Sequence, residues 1–313
     1  MIHNSSPYDL IIIGGGPAGA SAGVYASRKR LKTLFLTKDF NGQSAVSEDI
    51  QNWIGTVSIK GADLALNFKK HLLAYAGDFL TLKEGEYVEK ISKTENVFNV
   101  KTNSGEYKSK TVLITTGSHR RKLEIPGAKE YENKGITYCA SCDGPLFSDQ
   151  DVVVIGGGNA AFETSAQLLA YCRSVTLIQR GKDFRADEIT VEKILSNPKM
   201  KAITNTELVS IAGEKFVTGI TYKDLNTGKN VTLEATGIFV EIGLLPSTEF
   251  VKGLVKMDEW NHIVVDPRTQ RASTLGVWSS GDCSDGLYHQ NNIAAGDAVK
   301  ALEDIYLYLH AGK

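Results

Sequence analysis

One pattern constrains this chain more than any other. A short apolar strand, a glycine cluster and a small-residue helix occur twice, at one constant offset. The first copy reads "YDLIIIGGGPAGASAGVYASRKR" from Tyr8 and the second "DVVVIGGGNAAFETSAQLLAYCRS" from Asp151. Asp9 aligns with Asp151, Gly14 with Gly156, Gly16 with Gly158, and Gly19 with Ala161, without a gap. The next strands, "TLFLT" from Thr33 and "VTLIQ" from Val175, keep the same offset. Each glycine has a physical task. The first makes the tight strand-to-helix turn, the second lets backbone approach a pyrophosphate, and the third position must be small so that helix and strand pack closely. The phosphates then lie on helix N-terminal amides. One such motif is weak, but two in register, each after a strand and before a helix, are strong. The repeat is too long for a solenoid. The chain is therefore expected to be α/β, with two doubly wound, Rossmann-like dinucleotide-binding domains.

Size agrees with two domains, because 313 residues with 42% apolar content can bury a large core. Thirty-five lysines and arginines against 36 acids leave a net charge of −1, which argues against a nucleic-acid or polybasic membrane binder. The start, "MIHNSSPYDLIIIGGG", lacks a basic segment, and its apolar run, Leu10 to Ile13, is too short for a signal peptide or a membrane span. Four cysteines make no disulfide scaffold, so a reducing, cytoplasmic location is expected. Later segments read as antiparallel hairpins around Asn226–Gly228, and then as a strand running into Gly281–Asp282. A final helix is expected from about Asn291 to Leu309, where Ile293, Val299, Leu302, Ile305, Tyr306 and Leu309 have helical spacing.

Between the two copies lies "ITYCASCDGP", with Cys139 and Cys142 followed at once by Asp143. A metal site, a structural disulfide and a working redox pair all use that spacing. Zinc needs four ligands. Cys172 and Cys283 are solitary, and the histidines, His71, His119 and His289 among them, form no ligand spacing, so no metal is expected. A structural disulfide here closes too small a loop to constrain much unfolded chain.

Four stretches in this order, "GGGPAG", "CASCDG", "GGGNAA" and "GDC", closely resemble the low-molecular-weight thioredoxin reductase family, and "GQ" at Gly42–Gln43, "NWIG" at Asn52–Gly55 and "TTG" at Thr115–Gly117 extend the likeness over essentially the whole chain. "EIGLLPSTEF" and "GVWSSGDCSD" are also similar to the flavoprotein component of alkyl hydroperoxide reductase. The thioredoxin-like region which that relative carries ahead of its first dinucleotide strand is expected to have no counterpart here. The resemblance implies an FAD domain split in sequence, residues 1–118 plus 247–313, with an NAD(P)H-type domain, 119–246, inserted and carrying the cysteines. It places Gly14, Gly16, Pro17, Ala18, Gly19, Gln43, Asn52, Thr116, Gly117, Gly281, Asp282, His289, Gln290 and Asn291 along FAD. It places Gly156, Gly158, Asn159, Ala160, Ala161, Arg180 and Arg185 along NADPH. By the same resemblance Cys142 faces the flavin, Cys139 attacks the disulfide of a thioredoxin-like protein, and Asp143 is the acid/base for the leaving thiolate. Asp143 can also cap the next turn. The helix after Gln290 would aim its N-terminus at the flavin's pyrimidine edge, where reduction places negative charge. A homodimer is a further family expectation.

Two departures bear on the electron donor. Where the family has His-Arg-Arg and a further Arg, this chain reads "QRGKDFR": Gln179 and Gly181 stand in two of those positions, while Arg180 and Arg185 remain. Gln179 is not the acid that NAD-specific sites use for a ribose hydroxyl, so NADPH is favoured. His289 and Asn291 replace the usual Arg and Ala beside the flavin. The expected function is an FAD-dependent thioredoxin-disulfide reductase. The alternatives are an enzyme fed by ferredoxin or another donor, a flavin redox-sensing module without turnover, and a dithiol oxidase. Because one domain carries both the dithiol and the nucleotide site, domain rotation about Ser118–Arg121 and Gly243–Ser247 is also expected.

Overall fold

The computed structural model describes residues 6–47, 50–138 and 140–311. It divides into two compact units, Met1–His119 with Leu245–Lys313, and Arg120–Leu244.

In the first unit β1 (Tyr8–Ile13), α1 (Pro17–Arg28), β2 (Thr33–Thr37), α2 (Gly61–Ala76) and β3 (Leu80–Glu84) are followed by β4 (Val88–Thr94), β5 (Val97–Thr102) and β6 (Glu106–Ile114). The sheet order is β3-β2-β1-β6-β5-β4. β1 pairs parallel with β2 and β6, and β4, β5 and β6 form an antiparallel edge. Strand alternation explains why "LIII" is continuously apolar. Leu10 and Ile12 face a core shared with α1, whereas Ile11 and Ile13 face a second core with Val100, Val112 and Val277. A strand buried on both faces needs no polar alternation. On α1, small residues set the packing distance: a Cβ on Gly23 would lie 2.4 Å from Leu72 Cδ1.

The chain then runs through β7 (Ser118–Arg120) into the second unit. Its elements are β8 (Ile136–Thr137), α3 (Ala140–Asp143), β9 (Asp151–Ile155), α4 (Asn159–Leu168), β10 (Ser174–Ile178), α5 (Glu188–Leu195), β11 (Met200–Ile203), and β12 (Thr206–Gly213), β13 (Val217–Asp224), β14 (Asn230–Glu234) and β15 (Gly237–Val240). A parallel sheet of order β11-β10-β9-β15-β8 carries the second glycine turn. Val152 and Val154 of β9 pack with Phe162 of α4, while Val153 and Ile155 pack with Ile211, Ile220 and Tyr222 of the antiparallel sheet β12-β13-β14. Sequence patterning anticipates that hairpin, and β13 and β14 pair from Gly219–Glu234 to Lys223–Asn230.

After β16 (Leu244–Pro246), β17 (Val277–Ser279) pairs parallel with β6, and α6 (Asn291–Ala311) covers the first sheet beside α1. The observed helix extends two residues beyond the expected Leu309. Its anchor is Asp304, which accepts from Trp278 Nε1 at 2.9 Å and pairs with Arg271. Within the first unit Ser247 N donates to Gly117 O at 3.0 Å. Within the second, Arg121 N donates to Gly243 O at 3.0 Å.

Candidate functional site

In the first unit the ends of β1, β2 and β6 enclose a cavity of about 510 Å³. Gly14, with φ +119°, turns the chain from β1 into α1, and a Cβ there would lie 2.3 Å from the Thr115 carbonyl oxygen. A Cβ on Gly19 would lie 1.8 Å from Gly14 O, so the third glycine is fixed by helix–turn contact. Gly16 has open space, as a position approached by a ligand requires. The N-termini of two long helices reach this cavity: α1 through Gly16, Pro17 and Ala18, and α6 through Asn291 and Ala294. Both offer free amides and positive dipole ends to a negatively charged ligand. Ser280 lines the cavity, is fully buried, and its hydroxyl has no partner among the described residues. A buried orphan hydroxyl is costly unless something else satisfies it.

Most expected residues converge here. Thr116, Gly117, Gly281, Asp282 and Gln43 line the cavity. Gln43 Nε2 donates to Ser118 Oγ at 2.8 Å and to Asp282 Oδ2 at 3.4 Å, tying segments far apart in sequence. Thr116 Oγ1 donates to Ser247 O at 2.7 Å. Ser44 Oγ donates to Asn291 Oδ1 at 2.9 Å. Asn52 Nδ2 donates to Gln290 Oε1 at 3.0 Å, but Asn52, His289 and Gln290 are exposed and do not line the cavity. The His289 ring lies instead 6.0 Å from His262, whose Nδ1 contacts Asp258 Oδ2 at 2.9 Å. Sequence reasoning missed Ser280 and Glu86. Ser280 directly precedes the Gly281–Asp282 pair, which is a usable signal. Glu86 is 6% exposed, lines the cavity and accepts from Thr102 Oγ1 at 2.5 Å, and no motif marks it. Burial, together with Glu86, pushes the Tyr107 hydroxyl up to about 12.

The second unit repeats the turn with different neighbours. Gly156, φ +146°, has Glu241 O where its Cβ would lie, at 2.3 Å, and Ala161 fills the third position without conflict. Asn159 and Ala160 are exposed at the start of α4. Asn159 Oδ1 accepts from Asp187 N at 2.9 Å, and Arg185 N donates to Gly157 O at 2.7 Å. The Gln179 amide lies over Gly157 and accepts from Arg180 N at 3.0 Å. Arg180 and Arg185, neither of them buried, therefore flank one glycine turn. A smaller cavity of about 200 Å³ sits beside it, walled by Arg120, Thr164 and Glu241. None of these three was anticipated, although an acid closing the apolar "GIFVEIG" is a visible anomaly.

Cys139 lies outside the described residues, and of Cys142 only the backbone, in α3, is described. Asp143 does not cap the turn that follows it. Its carboxylate accepts instead from Thr137 Oγ1, on β8. Cys172 and Cys283 are free and buried, and burial pushes the Cys172 thiol up to about 11. That places both outside thiolate chemistry. Among the described residues no group of three His, Cys, Asp or Glu side chains gathers as a metal site, and no helix is long and apolar enough to cross a membrane.

Two strand–glycine turn–helix units, one beside a larger cavity and one beside a smaller, define a doubly wound architecture of two Rossmann-like domains. The family model for pyridine nucleotide-disulphide oxidoreductases matches residues 8–298, and the chain belongs to that family. Membership implies FAD and a pyridine nucleotide, and the glycine cradle, paired helix N-termini and orphan Ser280 hydroxyl of the larger cavity fit FAD. The solved structures it resembles include thioredoxin reductase from Lactococcus lactis (33% identity, TM-score 0.82, covering 96% of this chain and 99% of that one). Another is thioredoxin reductase from T. acidophilum (37% identity, TM-score 0.79, covering 96% and 98%). Among curated relatives, a Bacillus subtilis protein named NADH dehydrogenase is 36% identical over 98% of this chain. A component of the alkyl hydroperoxide reductase of Staphylococcus aureus is also 36% identical over 98% of it. The chain spans only 59% and 60% of the length of these two relatives.

Proposed function

We propose that the protein is an FAD-dependent thioredoxin-disulfide reductase, passing electrons from NADPH through FAD and the Cys139–Cys142 pair to a thioredoxin-like protein. The observation that carries this reading is the conjunction of the large glycine-turn cavity with a second glycine turn in the unit that bears "CASCDG". Gly14, Gly16, Pro17, Ala18 and Gly19 would seat the FAD pyrophosphate on α1. Gln43, Thr116, Gly117, Gly281, Asp282 and Asn291 would line the remainder, with Asn52, His289 and Gln290 at its rim. When bound, FAD supplies a two-electron relay between a nicotinamide and a disulfide. The chain's own part is thiol chemistry. Cys139 attacks the partner disulfide, Cys142 closes on Cys139, and two electrons leave as the partner's two thiols. Asp143, whose carboxylate accepts from Thr137 Oγ1, would give a proton to the departing thiolate. At the second turn, Gly156, Gly158, Asn159, Ala160 and Ala161 would take the nucleotide pyrophosphate, with Arg180 and Arg185 on its 2′-phosphate. A second reading, NADH as donor, is favoured by Gly181 and by the relative named NADH dehydrogenase.

Anaerobic mixing with NADPH or NADH, read as loss of flavin absorbance, separates these. NADPH should bleach the flavin, and Cys139→Ser and Cys142→Ser should each abolish thioredoxin reduction while leaving bleaching intact. Bleaching by reduced ferredoxin but by neither nucleotide would defeat the proposal. The exposed Leu66, Leu73 and Tyr75 of α2 support a homodimer, which sedimentation would check. The free thiols Cys172 and Cys283 suit a reducing cytoplasm.

A further inference from the structure

The smaller cavity contains a polar pair that the glycine-turn chemistry does not use. Glu241 is the first residue beyond β15, and its backbone N donates to Ile155 O at 2.8 Å, so it sits beside the glycine turn. Its side chain is only 13% exposed. Thr164 Oγ1 donates to Glu241 Oε1 at 2.9 Å, and Arg120 Nη1 approaches the two carboxylate oxygens at 3.3 and 3.4 Å. Among the described residues, Oε2 has only the longer Arg120 contact. Burial pushes the Glu241 carboxyl up, opposed by the Arg120 charge and the Thr164 hydrogen bond, with Glu163 adding to the rise. A carboxyl that is desolvated and loosely paired in a cavity is a candidate for binding something.

The sheet order says which part of a ligand arrives there. The strands run β10-β9-β15, and β9 carries the glycine turn. In this fold the adenosine lies at the end of the second strand, here β10, where Gln179 and Arg180 stand, and the pyrophosphate lies on the helix N-terminus. The other half of a dinucleotide must therefore leave the pyrophosphate on the β15 side, past Ala160 and toward Glu241. We propose that Glu241 and Arg120 recognise the nicotinamide carboxamide, the carboxylate accepting its N–H and the guanidinium donating to its carbonyl. A primary amide presents one donor and one acceptor side by side, and this pair presents the complement. The cavity of about 200 Å³ opens against α4, where Thr164 holds Glu241 in position. This rests on the reading of the second unit as the pyridine-nucleotide site.

The test is equilibrium binding to the full-length flavoprotein of NADP⁺ and NAD⁺, their 3-acetylpyridine analogues, which lack the amide N–H, and ADP-ribose with and without the 2′-phosphate. Wild type should prefer the parent dinucleotide over its acetylpyridine analogue by roughly tenfold or more, since a hydrogen bond to a charged group is at stake. E241L should abolish that preference and leave ADP-ribose affinity unchanged. E241Q, which keeps an acceptor but not the charge, should retain part of the preference. Equal loss of ADP-ribose binding in E241L, or loss of the preference in E241Q to the same extent as in E241L, would assign the pair to structure alone and overturn the proposal. Survival of the preference in E241L would do the same. Should wild type bind none of these probes, the pyridine-nucleotide reading itself falls. Binding without discrimination in wild type removes only the carboxamide assignment.

Discussion

The two glycine turns have nearly the same sequence and very different surroundings. In the first, the space beside every constrained glycine is filled by backbone: Thr115 O at Gly14, Asp39 O at Gly15, Gly14 O at Gly19. In the second, Gly156 is likewise blocked by the Glu241 carbonyl, but Gly157 faces the end of the Gln179 side chain and the third position tolerates Ala161. The first turn opens into about 510 Å³ reached by two helix N-termini, and the second adjoins about 200 Å³ and two solvent-accessible arginines. The same motif is thus built with two kinds of wall. Backbone walls beside a larger cavity suit the proposed resident group, while a turn walled in part by a side chain suits the proposed exchanging nucleotide.

The sharpest way to break that contrast is at the third position. Gly19→Ala places a Cβ against the Gly14 carbonyl, so the variant should lose bound flavin and more than about 3 kcal/mol of stability. Ala161→Gly, the reciprocal change, should cost only about 1 kcal/mol of helix propensity. Flavin absorbance and denaturant titration read both, and a Gly19→Ala protein with full flavin content would erase the distinction. At the middle position, Gly15→Ala meets Asp39 O at 2.5 Å and Thr37 Oγ1 at 2.7 Å, so flavin affinity should fall roughly a hundredfold. Gly157→Ala needs only a swing of Gln179, so the nucleotide KM should change by less than about threefold.

Arg180→Ala tests the nucleotide site proposed at the second turn. A lost charge-assisted phosphate contact of about 1.5–3 kcal/mol should raise the KM for NADPH by roughly ten- to a hundredfold, with NADH kinetics nearly unchanged. Equal effects on both nucleotides would detach Arg180 from the 2′-phosphate.

The smallest effect is at the start of β9, at Asp151. The Arg173 and Ser174 hydrogen bonds hold the Asp151 carboxyl at about 2, below its ordinary 3.8. A depressed folded-state value means that Asp151 contributes stability above pH 3.8 and loses it as pH falls through about 2. Because that side chain is 36% exposed, solvent screening reduces the benefit to about 1 kcal/mol or less. Asp151→Asn should therefore destabilise by that amount at neutral pH, by less as pH falls toward 2, and by nothing well below it, as read by denaturant midpoints. A constant difference across that range would refute the assignment.

The sequence alone determined the two strand–turn–helix units, because their requirements are local. A tight turn needs glycine, a close helix needs small residues, and a doubly buried strand needs an unbroken apolar run. It likewise supplied the β13–β14 hairpin, α6 and most of the residues that gather at the larger cavity. What it left open depends on partners distant in the chain. Only the tertiary structure brings Ser118 and Asp282 onto Gln43, buries Ser280 without a hydrogen-bond partner among the described residues, sets Glu86 in a cavity wall, and joins Arg120, Thr164 and Glu241. The same holds for Asp143, whose carboxylate goes to Thr137 on a strand rather than to the turn its sequence position suggested. Burial and pairing of polar groups are properties of the space between elements, and no periodicity along one element records them.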